Sequence, residues 1–219
     1  MPTAIFHPML EFIEVFWLRD GFDIICGNPP WIKLEFNEAN IISDKYPEVA
    51  IRGIKAPEVR EHIDSYMKSE ELISYYQSEQ NEQICNTAYM NANCNYLLLS
   101  GQKTNLYKCI LVNSLSLMSP SGYMGIICPE GIYDDPQGQT LRKELYRKLL
   151  YHFQYRNEFS LFDIGHTRTF STSIFRGIEH DIKFVSINNL FTPNTIDGCF
   201  IHDGHGICGG IKVNGTWNC

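Results

Sequence analysis

The sequence predicts an α/β fold: a mostly parallel sheet that ends in antiparallel strands and carries a helical insertion. Three observations predict it. Two short apolar runs, residues 22–26 and 123–128, are stopped by glycine or proline and read as continuous rather than alternating, as strands buried on both faces do. Leu106, Ile110, Leu111, Leu115 and Met118 recur at helical spacing before the second run. A further helix marked by Leu141, Leu145 and Leu149 follows it, and then come strand-like stretches at 153–162, 169–176 and 182–187.

Taken in order, residues 6–16 are apolar with interleaved Glu11 and Glu14, and periodicity does not decide between strand and short helix. The run 22–26 lies between Gly21 and Gly27, and Asn28-Pro29-Pro30-Trp31 follows at once. The prolines cannot donate to a ladder, so this is a loop at the strand's C-terminal end. Residues 34–104 are polar and acidic, with helical stretches around 57–67 and 70–80 and an Asn-rich end at Asn86, Asn91, Asn93 and Asn95. They read as an insertion or a mobile lid; the plainer reading is a solvated helical excursion. Ser119-Pro120-Ser121-Gly122 ends the next helix, and Pro129 stops the second strand. From Asp197 the chain is rich in Gly and Cys and has no clear period.

Composition narrows the function. An apolar share of 44% in 219 residues supports a core and excludes wholesale disorder. Against 18 Lys+Arg stand 25 Asp+Glu, a net charge of -7, which argues against a strong stand-alone nucleic-acid binder. The eight cysteines include no C-x2-C pair, and Cys85 and Cys94 have a spacing that suits no common zinc pattern. Cys26, Cys109 and Cys128 sit in apolar runs, where reduced cysteine packs as a small hydrophobe. The expectation is a reducing cytoplasm, no metal, no signal peptide and no membrane span.

Several polar groups have plain readings. His152, His166 and His180 are scattered, and His202 and His205 form a pair without a third ligand at useful spacing. Gly204, Gly206, Gly209 and Gly210 follow no good strand and precede no helix, so they read as loops. Asp134-Asp135 reads as a solvated turn or a cap. Arg142, Lys143, Arg147 and Lys148 form a stripe that could touch phosphates, but such a stripe is usually a solvated helix face.

Asn28-Pro29-Pro30-Trp31 carries the chemistry. By composition, such a tetrapeptide occurs by chance in roughly one chain of this length in 400. It also sits where open α/β sheets bind ligands, at a strand's carboxyl end. The amino nitrogen of adenine is a poor nucleophile because its lone pair is delocalised into the ring. Two acceptors aimed at its two N–H groups localise that lone pair. The Asn28 side-chain oxygen and the Pro29 carbonyl can be those acceptors, in a loop stiffened by two fixed φ angles. Trp31 offers a face for stacking, worth roughly 1–3 kcal/mol. Such a site needs positioning and electrostatics, with no covalent intermediate, and a duplex adenine must be flipped out to reach it. The plainer alternative is a rigid turn with Trp31 as a core plug and Asn28 as a cap.

The stretch from Gly21 to Trp31 resembles the catalytic motif region of amino-group DNA methyltransferases, of the gamma-type adenine-N6 enzymes found in type IIG restriction–modification proteins. Thr104-Asn105-Leu106-Tyr107, the run from Ser121 to Pro129, Leu141-Arg142 and Phe170-Ser171-Thr-Ser-Ile-Phe175 resemble later segments of that family, and the likeness covers about residues 6 to 190. It implies a partial Rossmann-like methyltransferase fold and a site-specific DNA adenine methyltransferase of a restriction–modification system. The donor would be S-adenosyl-L-methionine and the partner double-stranded DNA. The catalytic residues would be Asn28, Pro29, Pro30 and Trp31, with Trp31 and Phe170 against the target base and Phe162 as rival to Phe170. Core packing is the commoner role for either phenylalanine. Gly27, Asn28 and Glu11 are the residues placed near the donor.

The family's Gly-rich donor loop and ribose-binding acidic residue have no counterpart before Phe22, so the resemblance implies a part of such an enzyme, with a missing N-terminal segment or a subunit carrying the donor site. The chain divides into 1–33 (start of the catalytic half), 34–104 (helical insertion), 105–190 (remainder of the core) and 191–219 (irregular tail, the start of a truncated target-recognition region). Other readings are a protein-glutamine or RNA guanine-N2 methyltransferase, and an inactive remnant. The long excursion favours the DNA enzymes, because the others are usually compact.

Overall fold

The computed structural model describes residues 6–103 and 105–217. Thr104 and Cys219 lie outside the described residues. The chain forms two compact units, one from residues 1–31 and 106–219, the other from residues 32–105.

The first unit begins with two short helices, α1 (Pro8–Glu11) and α2 (Ile13–Arg19), which resolves the ambiguity at 6–16. β1 (Phe22–Gly27) follows. Gly21 makes that junction possible: its φ is +136°, and an added Cβ would stand 2.6–2.8 Å from the backbone of residues 117–119. After the second unit come α9 (Leu106–Leu117), β2 (Met118–Pro129), α10 (Gly131–Asp134), α11 (Gln139–Lys148), β3 (Leu149–Arg156), β4 (Thr169–Arg176) and β5 (Val185–Leu190). The tail forms α12 (Asn194–Ile201) and a hairpin of β6 (Lys212–Val213) with β7 (Thr216–Trp217).

The main sheet has the order β1-β2-β4-β3-β5. β1 runs parallel to β2, and β5 parallel to β3. β4 is antiparallel to both of its neighbours, β2 and β3. The fold class is α/β as expected, but the sheet is mixed rather than mostly parallel, and its antiparallel strand lies inside rather than at the end. β3 feeds β4 through a loop of a dozen residues that holds no α-helix of the kind that usually makes a parallel crossover.

Met124, Ile126 and Cys128 alternate along one face of β2 and are buried with Leu111 of α9, Leu141 and Leu145 of α11 and Phe175 of β4. β1 departs from expectation. It is an edge strand, and Ile24 is 72% exposed. Cys26 is exposed as well, unlike Cys109 and Cys128, which are buried. A continuous apolar run was therefore a poor guide to burial here: the same residue pattern serves an open edge. The exposed apolar surface continues onto α1 and α2 through Leu10, Ile13, Trp17 and Leu18.

The second unit contains α3 (Glu38–Ser43), α4 (Pro47–Ile51), α5 (Ala56–Glu61), α6 (Ile63–Tyr66), α7 (Glu70–Asn91) and α8 (Asn93–Tyr96). An antiparallel bridge between Lys33 and Asn105 joins its two ends. Asn37 caps α3 by accepting from Ala39 and Asn40 N–H, and Ser69 caps α7 by accepting from Leu72 N–H. Pro47 and Pro57 open α4 and α5 at positions where no N–H is needed. Ile42, Val49, Val59 and Leu72 are buried together. Arg60 on α5 pairs with Glu38 on α3 at 2.6 Å. Residues 34–104 are thus more than a solvated excursion: most of them belong to a unit with a core of its own. Leu72→Ala should destabilise that unit by about 2–5 kcal/mol in urea unfolding followed by circular dichroism. A loss below about 0.5 kcal/mol, the size of an ordinary surface change, would contradict the packing described.

Candidate functional site

The antiparallel pairings fix which ends of the strands meet. Pro129 of β2 lies opposite Phe170 of β4, and Phe170 opposite Tyr155 of β3. β1, β2 and β3 are parallel in direction, so their carboxyl ends share one edge of the sheet. Asn28-Pro29-Pro30-Trp31 extends from β1 at that edge.

Trp31 packs into an aromatic cluster there. Its ring centroid is 5.3 Å from that of Phe162 and 5.8 Å from that of Phe170. Phe162 meets Phe170 edge-on at 4.9 Å, and Tyr155 stacks on Phe170 at 5.2 Å with an interplanar angle of 8°. Phe153, Tyr155, Phe170 and Leu190 form the buried centre. Trp31 and Phe162 remain half-buried at the margin. Phe170, at 3% exposure, is the floor of the cluster, so packing is its role in this structure. The indole Nε1 of Trp31 is buried without a hydrogen-bond partner among the described residues.

The loop residues differ in how firmly they are held. Pro29 is buried, whereas Asn28 and Pro30 are exposed. No hydrogen bond to a described residue fixes the Asn28 side chain. A Cβ added at Gly27 would meet nothing within 4 Å, so protein packing does not require glycine there and the backbone is open to close approach. Glu11 is placed elsewhere. Its neighbour Phe12 contacts Phe22, the first residue of β1. β1 has six residues, so at roughly 3.3 Å each its two ends are about 20 Å apart. The structure therefore does not bring Glu11 to the Asn28 loop.

Asn157, which sequence reasoning passed over, organises the margin. It is fully buried. Its Nδ2 donates to the Phe162 and Ile164 carbonyls at 2.9 and 2.8 Å, and its Oδ1 accepts from Phe162 N–H at 3.0 Å. One amide thus folds residues 158–164 back so that Phe162 meets Trp31. No periodic signal marks such a residue; it falls inside the strand expected over 153–162, whereas β3 ends at Arg156.

A polar cluster occupies the opposite face of the same strands, because side chains alternate along them. Glu130, 4% exposed, contacts His152 Nε2 at 3.2 Å and accepts from Gln154 at 3.0 Å. His152 Nδ1 contacts Ser186 Oγ at 3.1 Å, and Tyr133 OH contacts Ser173 Oγ at 2.8 Å. Burial pushes the Glu130 carboxyl up, but hydrogen bonds from His152, Ser171 and Gln154 outweigh it and leave the group below its usual range. Burial pushes the Tyr133 phenol well up. His152 is thus a structural partner of a carboxylate.

The remaining sequence candidates are engaged in packing. Asp135 pairs with the buried Lys108 at 2.6 Å and accepts from Gln137 N–H, so it is both a turn residue and half of an ion pair. Arg142 donates to the Asp135 carbonyl, Arg147 pairs with Glu179 and Lys148 donates to the Gly177 carbonyl. Three of the four stripe cations are committed within the chain, and Lys143 is exposed. Among the described residues no cluster of three His, Cys, Asp or Glu could hold a metal ion, and no helix is long and apolar enough to cross a membrane.

No family model matches the chain, and no curated protein matches it. Solved structures of DNA-bound enzymes are among those similar to it. One is a cryo-EM structure of a DrdV–DNA complex, with 14% identity over 82% of this chain and 16% of that one, TM-score 0.42. Another is a nuclease-deletion mutant of the type ISP restriction–modification enzyme LlaGI in complex with a DNA substrate mimic, with 13% identity over 77% of this chain and 12% of that one, TM-score 0.38. A third is the ATP-dependent type ISP restriction–modification enzyme LlaBIII bound to DNA, with 14% identity over 77% of this chain and 10% of that one, TM-score 0.37. The chain spans 10–16% of the length of these structures. Likenesses at these TM-scores carry no argument about its activity.

The Glu130 cluster predicts a pH dependence. Its folded pKa lies below the unfolded one, so its contribution is complete above the usual carboxylate pKa of about 4.3 and is lost as pH falls through the folded value. Glu130→Gln should lower stability at pH 7 by about 1–3 kcal/mol and flatten the acid limb of a denaturation profile. An unchanged acid limb would assign the acid sensitivity to other carboxylates.

Proposed function

We propose that this chain is the base-gripping part of an adenine-N6 DNA methyltransferase. One observation carries the proposal: Asn28-Pro29-Pro30-Trp31 leaves the carboxyl end of β1 with Asn28 exposed and Trp31 half-buried on an aromatic floor. An extruded adenine stacks on the free part of the indole. Its two amino hydrogens meet the Asn28 amide oxygen and the Pro29 carbonyl. These acceptors localise the nitrogen lone pair and leave it directed at the methyl group in line. Pro29 is buried and the Pro30 that follows restricts its ψ, which sets the backbone acceptor in place beforehand.

The methyl donor in this reading is S-adenosylmethionine. Gly27 gives it an open backbone, and Asn28 a polar neighbour. With Glu11 at the far end of β1, the described residues do not complete a donor site. The open edge of β1, with Ile24 beside it, is where we place the segment or subunit that completes it. Phosphate contacts are expected to come largely from that same source, given a net charge of -7 and the committed cations of α11.

Base gripping can be measured without the donor, by fluorescence anisotropy on duplexes that present one extruded base. The chain should bind extruded adenine more tightly than extruded thymine, and Trp31→Ala should weaken that binding by about 1–3 kcal/mol. Equal binding of both bases, unchanged by Trp31→Ala, would sink the base-gripping role. In the assembled enzyme, Asn28→Ala should reduce methyl transfer by about 10²–10³-fold while DNA affinity changes only a few-fold. Recovery of the label on guanine or on a protein glutamine would replace adenine with that acceptor.

A further inference from the structure

The tail carries a second chemistry, independent of the base-gripping loop. Cys199, in the last turn of α12, and Cys208, in the loop after it, have sulfurs 3.6 Å apart. The Cys199 thiol points to the Cys208 sulfur, and the Cys208 thiol to the Gly209 carbonyl at 3.6 Å. Cys208 is buried and Cys199 half-buried, so one sulfur is sheltered and the other is within reach of a small reagent. Around them the tail is fastened to α12 and the body: Thr195 Oγ1 donates to the Gly210 carbonyl at 3.3 Å, Lys212 pairs with Glu158 at 2.8 Å, and Lys212 lies over the Phe191 ring. The intervening loop is exposed and turns through Gly204 and Gly206, both at positive φ. It can shift without disturbing the sheet.

We infer that Cys199 and Cys208 form a dithiol modification site, closed to an intramolecular disulfide by a low-molecular-weight disulfide such as oxidised glutathione. The reaction balances in two exchanges. The Cys199 thiolate attacks one sulfur of glutathione disulfide, its S–S bond breaks, and a glutathione thiolate leaves. Cys208 then loses its proton and attacks the Cys199 sulfur of the mixed disulfide, forming the Cys199–Cys208 bond and releasing the second glutathione thiolate. Two protein thiols are oxidised and one glutathione disulfide is reduced to two thiols. A normal S–S bond is about 2.05 Å long, so the sulfurs need to close by roughly 1.5 Å, within the range of a side-chain rotation plus a small shift of the loop. Burial and the neighbouring Cys208 raise the Cys199 thiol, which keeps that thiol protonated at rest and the first exchange slow. Closure ties the Gly-rich tail covalently to α12 across a ten-residue ring.

Trypsin tests this directly, since no Lys or Arg lies between Lys183 and Lys212, and both sulfurs fall in the peptide 184–212. The full chain is treated with excess glutathione disulfide, quenched in acid, alkylated and digested. The expected peptide is lighter by two hydrogens and takes up no alkylating agent, and cleavage before Asp203 leaves its halves joined until reduction. Exposed Cys26, Cys85 and Cys94 serve as internal controls and should each carry glutathione instead. The Cys199→Ser and Cys208→Ser variants should each lose the joined product. A doubly alkylated peptide, two separate glutathione adducts, or links from Cys199 to a different cysteine would overturn the inference. So would stoichiometric zinc that protects both thiols until it is chelated.

Discussion

The contact between Trp31 and Phe170 is what makes the candidate site part of the fold rather than a loose loop. Phe170 cannot move: it is paired to Pro129 on one side and Tyr155 on the other, and Tyr155 stacks on its ring. Trp31, only four residues beyond β1, lies against that fixed ring. An edge strand with both faces largely exposed would otherwise be a weak platform. Aromatic pairs of this kind contribute about 0.5–1.5 kcal/mol beyond the area they bury, and two such pairs hold the indole. The antiparallel placement of β4 matters for the same reason. It brings the first residues of that strand, not its last, to the edge where β1, β2 and β3 end.

Much of this was legible in the sequence, and the parts that were not share a cause. The run 22–26, the helix beginning at Leu106, the strand 169–176 and the helix around Leu141 and Leu145 all follow local rules of period and punctuation, and all form. Strand neighbours do not follow local rules. Nothing in residues 169–176 says that they insert between β2 and β3, so a mostly parallel sheet was expected and a mixed one found. Burial of β1 failed likewise: Phe22, Ile24 and Ile25 are apolar, but exposure depends on whether another strand or helix covers them. α12 was missed because Asn194, Thr195 and Gly198 are poor helix formers, and buried Thr195 holds the segment through a tertiary bond to Gly210 instead. At the site, the tetrapeptide was readable from residue types. Lys108 and Glu130 were not, because each matters through a partner distant in sequence, and Asn157 was not, because its partners are backbone groups of a loop with no periodic signal.

The same strands keep two environments apart. One face at the sheet edge holds the rings of Trp31, Phe162, Phe170 and Tyr155; the other holds Glu130, His152, Gln154, Ser171 and Ser173. Alternation of side chains makes this possible, since Phe170 and Ser171 are adjacent and face opposite ways. The charged group is therefore screened from the aromatic face by the sheet itself. This suits a site whose acceptors are neutral. A carboxylate beside the indole would lower the local potential and favour any cation there, whether or not it was the right one. Amide and peptide oxygens accept hydrogen bonds without that indiscriminate attraction.

In the proposed reading, the two acceptors for the amino group are not equally ready. Pro29 is buried and the following Pro30 confines its backbone to the extended region, so the direction of its carbonyl is set before any base arrives. The Asn28 side chain is exposed, has no hydrogen bond to a described residue, and carries an N–H2 as well as an oxygen. Presenting the amide nitrogen to an amino group would oppose donor to donor. Correct recognition therefore requires fixing one of two amide orientations and one side-chain rotamer, at about 0.5–1.5 kcal/mol. An adenine amino group selects the oxygen-first orientation and offsets that cost through the new hydrogen bond. A thymine carbonyl in the same place would select the opposite one, and would still meet the fixed Pro29 carbonyl, acceptor against acceptor. On the proposed function, discrimination between an amine and a carbonyl then rests on the rigid half of the pair, while the mobile half tightens the grip only once the right group is in place.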